Sequence, residues 1–438
     1  MSSTTMSWIR TSGAIQVFLF ALVVRFVFLV TVPAVPIAGA GDASDYDRLA
    51  QAIVNGEGYV SETGQPTSMR PPLYSYVLAG FYQVFPDGPS AMRFLQAVLD
   101  AVTCALVYGL TLRHFGLKAA RVAGVLSIFS LSLLFATRHL LAETFMAFFM
   151  VAIVYSLDTA LTSWRLGAFL LTGVLVGFST LTKGTTLPLP AMLLLPIWAS
   201  TQWKWRPTLQ AGAIVFAGFL LVLLPWTVRN YFVHGEVVPV ATQMGWVAYS
   251  SYAPPEGRIF GVYTFDETVE AAMRLPEAER SRELTNAAVS LILERPGELP
   301  RLLVLKFLYF FSPFDWEILG GDGVFNFLYA LTLPLALYGL WVVRARGWRF
   351  WLLATPPAFL LGLSLVLYGS PRLRLPVEPL LTVLAAGGVV GIWEKAEAHR
   401  TALTAMSILS LAAGFTIYWF SAEAKVVSAT ILRGIGLW

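Results

Sequence analysis

The chain has 438 residues, 57% hydrophobic and only 13% charged, with a mean hydropathy of +0.68. A soluble domain carries about a quarter charged residues, so a water-soluble globular protein is excluded. The net charge of +4 is no nucleic-acid footprint, and a single cysteine, Cys104, permits no disulfide framework.

Apolar runs recur from end to end, at roughly 14–36, 90–112, 119–136, 142–160, 167–182, 185–200, 208–226, 325–343, 350–368, 375–393 and 401–420. This predicts an all-α polytopic membrane protein with about 11–13 transmembrane helices. The first run is too long for a signal-peptide core and lacks a small-x-small cleavage site, so it reads as an uncleaved first span. No separate soluble domain and no internal repeat is visible, so 1–438 reads as one transmembrane domain.

Basic residues set the orientation. They fall at Arg10, at Arg113, Lys118 and Arg121, at Arg165, at Lys204 and Arg206, at Arg344, Arg346 and Arg349, and at Lys395 and Arg400. These loops alternate, which places them in the cytoplasm. The loops 37–89, 137–141, 182–185, 227–324 and 369–375 then face outward. This parity requires Leu73–Phe85 and Pro300–Phe314 to lie on the outer surface rather than to span. In 227–324, apolar Val269, Met273, Leu284, Ala288 and Leu291 recur at helical spacing, which predicts an amphipathic layer over the membrane.

Charged residues that need a reason gather on that outer side. Asp42, Asp45 and Asp47 directly follow the first span. They read as a general base with supporting acids, or as a solvated helix start with Asp42 or Ser44 as cap. Arg70 precedes Pro71-Pro72, a stiff turn that would hold its head in place for a phosphate; an interfacial anchor is the plainer alternative. Glu143 opens the fourth span, where a carboxylate is costly. His139 lies four residues before it, a spacing that can share a helix face but is weak evidence for a metal. Lys183 sits in a Thr- and Gly-rich turn suited to an interfacial phosphate. Arg229 ends a span on the side that the positive-inside rule does not favour. Arg372 and Arg374 alternate in an extended Pro-bounded segment and would point to one side, with Glu378 following. Arg25 lies within the first span and must pair or face a cavity. Together these describe glycosyl transfer from a lipid-phosphate sugar: an acid to deprotonate a hydroxyl, cations to hold the departing phosphate, and an apolar groove for the lipid.

At these residues the chain resembles the GT-C superfamily of membrane glycosyltransferases. It looks most like the family 39 branch of protein mannosyltransferase-like and aminoarabinose transferase-like enzymes. The matching stretches are GDASDY…LAQAIVNGEGY, MRPPLYSYVLAGFY, AMRFLQAVLDAVTCALVYGLTLRHFG, LLAETF, LTKGTTLPLP, PWTVRNYFVHG and PRLRLPVEPLL. Their order and spacing, from about residue 15 to 390, carry the resemblance. It implies a GT-C fold with interfacial helices in an acidic first outer loop. It also implies a polyprenyl-phosphate sugar donor and a lipid, glycan or protein acceptor, with membrane lipids around the enzyme. The family pattern of an acid four residues before Tyr or Phe makes Asp42, ahead of Tyr46, the expected base, with Asp45 next and Glu143 as a further acid. Arg70, Lys183, Arg229, Arg372 and Arg374 match basic positions near the donor phosphate. Tyr46, Tyr59, Arg25, His139 and Glu378 are expected as supports. Met69 stands where some relatives carry an acid for a divalent cation, so a metal-independent reaction with no cofactor is expected.

The expected activity is therefore that of an inverting glycosyltransferase in the cytoplasmic membrane, with its site facing the periplasm or outside. Two rivals are a transporter or flippase of lipid-linked sugars, and an oligosaccharide polymerase or ligase using a lipid-diphosphate donor. The single acidic loop and the lack of a repeat argue against the transporter. The segment from His234 to Gly323 is expected to shape the acceptor side.

Overall fold

The computed structural model describes residues 3–37, 41–253, 265–315, 317–319 and 324–394. The run at 401–420, with Lys395 and Arg400, lies outside them. In chain order the first half consists of α1 (Ser3–Thr31), α2 (Asp42–Val54), α3 (Pro72–Val84), α4 (Gly88–Ile128), α5 (Leu131–Ala136), α6 (Glu143–Ser163), α7 (Leu166–Thr182), α8 (Leu189–Met192), α9 (Leu194–Ser200) and α10 (Trp205–His234). The second consists of α11 (Met244–Ser250), α12 (Glu267–Met273), α13 (Glu277–Glu294), α14 (Leu299–Phe310), α15 (Phe327–Val343), α16 (Trp348–Val366), α17 (Pro371–Arg374) and α18 (Glu378–Glu394). A two-residue antiparallel pair, Phe314–Asp315 with Val324–Phe325, is the only sheet among the described residues.

Among the described residues, six helical stretches are long and apolar enough to cross a membrane: Ser12–Thr31, Gly88–Ile128, Glu143–Ser163, Trp205–His234, Trp348–Val366 and Pro371–Glu394. Leu166–Thr182, Gly184–Ser200 and Phe327–Val343 are apolar but shorter. Residues 185–200, expected as one span, are broken into a 3₁₀ turn and two short helices. Pro188, Pro190 and Pro196 remove the amide donors that a continuous helix needs there. α3 and α14 have 13 and 12 residues, so each is about 20 Å long against a hydrocarbon core of about 30 Å. Each is too short to cross such a layer as a straight helix by itself.

α4 holds two of the predicted spans. Gly116 has φ +85°, a conformation open to glycine and strained for other residues. The chain reverses there. Tyr108 and Gly124 would be about 24 Å apart in a straight helix, yet a Cβ on Gly124 would lie 3.6 Å from the Tyr108 ring. Arg25 closes the same hairpin. Its guanidinium donates to Asp100 Oδ2 (2.8 Å) and to the carbonyls of Ser127 (3.0 Å) and Ile128 (2.5 Å). The buried Arg of the first span thus finds its partner on another helix. Truncating Asp100 to Ala leaves that guanidinium buried without its counter-ion and is expected to cost about 3–5 kcal/mol. Thermal unfolding of the detergent-purified variant measures it; an unchanged melt would show that the clamp carries no stability.

α7 and α10 pack backbone to backbone. A Cβ at Gly173 would lie 1.9 Å from the Val215 carbonyl oxygen, and one at Gly218 2.3 Å from that of Leu170. Reciprocal glycines of this kind let membrane helices approach closely where no hydrophobic drive separates helix from lipid. This pair fixes the turn after α7 relative to the end of α10.

The bundle has two chemically distinct ends. At one, Arg113 pairs with Asp158 (2.7 Å), Lys118 with Glu394 (3.8 Å), and Arg346 donates to the His114 carbonyl. These belong to the loops read as cytoplasmic. Glu143 opens α6 and Asp158 lies fifteen residues further along the same helix, about 22 Å away. The Glu143 end therefore lies on the opposite side of the apolar layer. There, α12 and α13 form the expected cover, burying Val269, Leu284 and Ala288 against Trp246 and Tyr249. Leu291 is partly buried with them, whereas Met273 is exposed.

Candidate active site

The connections after α1, α7 and α16, and the turn before α3, meet at the Glu143 end. α2 begins at Asp42, with Gly41 at φ +151° before it. Asp42 is therefore the first helical residue, and no side chain caps the helix. Tyr46 follows one turn later on the same face and is buried. The Arg70-Pro71-Pro72 turn opens α3. Tyr59 holds it, donating its hydroxyl to the carbonyls of Arg70 (2.9 Å) and Pro71 (3.2 Å). Lys183 stands in the extended residue between α7 and the 3₁₀ turn Gly184–Thr186. Arg372 lies in α17, whose first free amide is capped by the Ser370 hydroxyl (3.1 Å).

These side chains surround a cavity of about 300 Å³. Its polar wall contains Asp42, Tyr46, Arg70, Lys183, Gln243, Glu317 and Arg372, and its apolar wall includes Leu187, Val240, Met244, Val247 and Leu367. Ion pairs tie the polar wall together. Arg70 Nη1 meets Asp42 Oδ1 at 2.6 Å, and its Nη2 meets Asp45 Oδ2 at 2.6 Å. The Arg70 Nη1 also donates to Gln243 (2.7 Å). Arg372 bridges two carboxylates, with Nη2 on the second oxygen of Asp42 and Nε on Glu143 Oε1 at 2.6 Å. Lys183 Nζ reaches the same Glu143 oxygen at 2.8 Å. Glu317 stands 3.9 Å from Arg372 Nη1 and accepts the Ser370 hydroxyl.

Burial pushes the Asp42 carboxyl up, but the Arg70 and Arg372 guanidinium groups, with Lys183, together pull it well below the ordinary carboxylate range. The three candidate acids thereby separate. Asp42 lines the cavity. Asp45 sits behind Arg70 and orients it. Glu143 is 1% exposed and anchors Lys183 and Arg372 from beneath. Asp47 faces elsewhere, accepting from Tyr82 and Gln51. Burial, then the Asp42 charge, push the Tyr46 hydroxyl up, so it stays a neutral phenol beside the acid.

Arg374, Glu378, Arg229, His139 and Arg25 do not line the cavity and hold other parts of the structure together. Arg374 is fully buried. It pairs with Glu378 (2.8 Å), donates to the carbonyls of Phe310 and Ser312, and lies over the Tyr329 ring (3.5 Å). It fastens α17 to the end of α14, and Glu378 is its counter-ion. Arg229 donates to the carbonyls of Thr67 (2.7 Å) and Tyr59 (3.1 Å) and to Ser68 (2.9 Å). It pins the segment between α2 and α3. His139 meets the Ile318 carbonyl at 2.9 Å and shares no ligand set with Glu143; among the described residues no group of three or more His, Cys, Asp or Glu can hold a metal ion. Arg25 belongs to the hairpin clamp described above.

Arg229→Ala is accordingly expected to lower thermal stability by about 1–3 kcal/mol, the cost of leaving buried carbonyls unpaired. Affinity for a phosphate ligand should change less than twofold in the folded fraction. A selective loss of phosphate binding at unchanged stability would put Arg229 back in the site.

Gln243 has no local signal in the sequence, and the one for Glu317 is slight. Glu317 is placed by Asp315, whose Oδ1 accepts the amides of Glu317 (3.1 Å) and Ile318 (2.9 Å). The hint was an Asp-x-Glu in an otherwise apolar, aromatic stretch of the second outer loop.

Residues 69–228 match a family model described as dolichyl-phosphate-mannose-protein mannosyltransferase. The undecaprenyl phosphate-alpha-4-amino-4-deoxy-L-arabinose arabinosyl transferase of Pseudomonas aeruginosa strain UCBPP-PA14 is 28% identical over 206 residues, 44% of this chain and 37% of that protein. The match thus spans little more than a third of the length of these curated relatives. Among solved structures, the oligosaccharyltransferase of Archaeoglobus fulgidus in its apo form aligns with 97% of this chain and 56% of its own, at TM-score 0.57 and 14% identity. The same enzyme in complex with an inhibitory peptide and a dolichol-phosphate aligns at TM-score 0.54 and 13% identity. At that identity the likeness establishes the fold. The chain is a multi-pass membrane protein of the GT-C fold, and the family-model match is confined to residues 69–228.

Proposed function

We propose that the protein is an inverting glycosyltransferase that moves a sugar from a polyprenyl phosphate to a hydroxyl acceptor, on the outer face of the cytoplasmic membrane. One observation carries the reading: Asp42 shares a cavity with Arg70, Lys183 and Arg372, and of the two carboxylates in its wall, Asp42 and Glu317, it is Asp42 that meets both arginines closely. Asp42 takes the proton of the acceptor hydroxyl as its oxygen attacks the anomeric carbon. The bond from that carbon to the phosphate oxygen breaks, and its electron pair leaves with the polyprenyl phosphate. Arg372, Lys183 and Arg70 meet the charge that develops there, the term that usually contributes most to such catalysis. Leu187, Val240, Met244, Val247 and Leu367 offer apolar surface to the first lipid units. The basic loops gathered at the far end of the bundle support the outward orientation of the site.

A divalent cation does not fit the acids present. Both oxygens of Asp42 and one of Glu143 already face guanidinium or ammonium groups. The same three cations supply the positive charge that a metal would bring to a phosphate. Turnover is therefore independent of chelator in this reading.

The test is donor turnover by the purified protein. A panel of polyprenyl-phosphate monosaccharides is offered with an extract of envelope lipids and glycans, and released polyprenyl phosphate is followed by mass spectrometry. Release together with a glycosylated product supports the enzyme. Binding of lipid-linked sugar without consumption favours the transporter, and consumption of a diphosphate donor alone favours the polymerase or ligase.

A further inference from the structure

The resting site presents a difficulty for any phosphate that enters it. Arg70, Lys183 and Arg372 each already hold a carboxylate. The base itself is occupied too, with one oxygen on Arg70 and the other on Arg372. A phosphate gains a cation only by taking it from an acid.

The partners differ in how easily they let go. Arg70 is 3% exposed and has Asp45 and Gln243 to hold it beside Asp42. Lys183 pairs with Glu143, which is buried at the start of α6. Arg372 is fixed at Nε by that same Glu143, while Nη2 rests on Asp42 and Nη1 stands 3.9 Å from Glu317. Its outer nitrogens thus face the cavity while its stem is fixed. A planar fork held at one edge can turn its free edge from a carboxylate to a phosphate, which has the matching oxygen geometry.

Resting on the function proposed above, we infer that Arg372 is a charge-following residue: its Nη2 leaves Asp42 for the donor phosphate as the proton arrives on Asp42. Before reaction the negative charge that holds Nη2 is on Asp42. During reaction Asp42 gains a proton and loses that charge, while the phosphate oxygen gains one. The guanidinium follows the charge, so its contact with the phosphate is strongest in the transition state and product, the condition for binding energy to accelerate a reaction. Glu143 serves as the pivot and is a positioning residue.

Asn at position 42 imitates the protonated acid, so the exchange is read in binding alone, without turnover. Undecaprenyl phosphate is titrated into detergent-purified wild type, Asp42→Asn, Arg372→Ala and the double variant. Asp42→Asn is expected to bind the ligand about tenfold more tightly, within the range typical of coupling between sites. In the Arg372→Ala background the same change should have no effect, because the coupling runs through Arg372. Asp42→Ser supplies a second neutral residue if Asn fails to fold, and thermal melts report folding for all of them. Equal or weaker binding by the Asp42 variants, with wild type binding measurably, overturns the exchange and leaves the phosphate site standing. A gain that persists without Arg372 also overturns it. No binding of undecaprenyl phosphate by folded wild type overturns the phosphate site itself, and the exchange with it.

Discussion

Asp42→Asn is expected to lower kcat by about 10²- to 10⁴-fold, the usual contribution of a positioned general base, without loss of polyprenyl phosphate binding. The asymmetry follows from geometry. Asp42 has both oxygens in the cavity wall, and Asn keeps its size and one acceptor. Asp45→Asn is the informative control. Asp45 contacts Arg70 through two nitrogens and does not line the cavity. Its loss loosens Arg70 and should raise KM more than it lowers kcat. Single-turnover kinetics with a radiolabelled donor separate the two effects. Full activity of Asp42→Asn would remove it as the base. The same environment sets the pH behaviour. Asp42 is held ionised well below its unfolded value, so its contribution to stability is complete above about pH 4 and is lost only as pH falls towards its folded pKa. Acid loss of activity above pH 5 should therefore not report Asp42, and a pH–rate profile checks this.

The sequence made the charged wall of the site legible because membrane proteins confine charge. A carboxylate or cation beside a long apolar run is conspicuous, and Asp42, Glu143, Lys183 and Arg372 announced themselves in this way, whereas Arg70 did so through the Pro-Pro pair that follows it. Where inference stopped, local conformation or long-range contact decided. Arg372 and Arg374 were expected to point together, as alternate residues of an extended segment do. The segment is instead a helical turn, in which residues two apart point about 200° apart. One therefore enters the cavity and the other the core. Arg229 and Arg25 were recognised as anomalies but not understood, because their partners lie far along the chain: Thr67 and Ser68 for the first, Asp100 for the second. Glu317 and Gln243 went unseen for the same reason. They reach the cavity only through folding of the second outer segment. The spans were legible from hydropathy, but Gly116 and the prolines of 188–196 decided how the runs begin, break and reverse.

Arg372→Ala should reduce kcat about 10²- to 10³-fold, equivalent to roughly 3 kcal/mol of lost transition-state stabilisation. It should do so more severely than the corresponding change at Lys183. Among the described residues Lys183 pairs with Glu143 alone, whereas Arg372 touches Asp42 and Glu143 and stands beside Glu317. Removing Arg372 deletes a cation at the developing charge and unfastens the base at the same stroke. Arg372→Lys distinguishes charge from geometry. A single ammonium cannot hold Glu143 with one nitrogen and offer two others to Asp42 and a phosphate. Lysine should therefore restore stability, because Glu143 regains a buried counter-ion, while most of the loss in kcat remains. If lysine restores turnover as well, a point charge suffices and the planar fork plays no part. If alanine leaves kcat unchanged while raising KM, Arg372 only binds the donor, and the charge it holds in the resting protein does not move during the reaction.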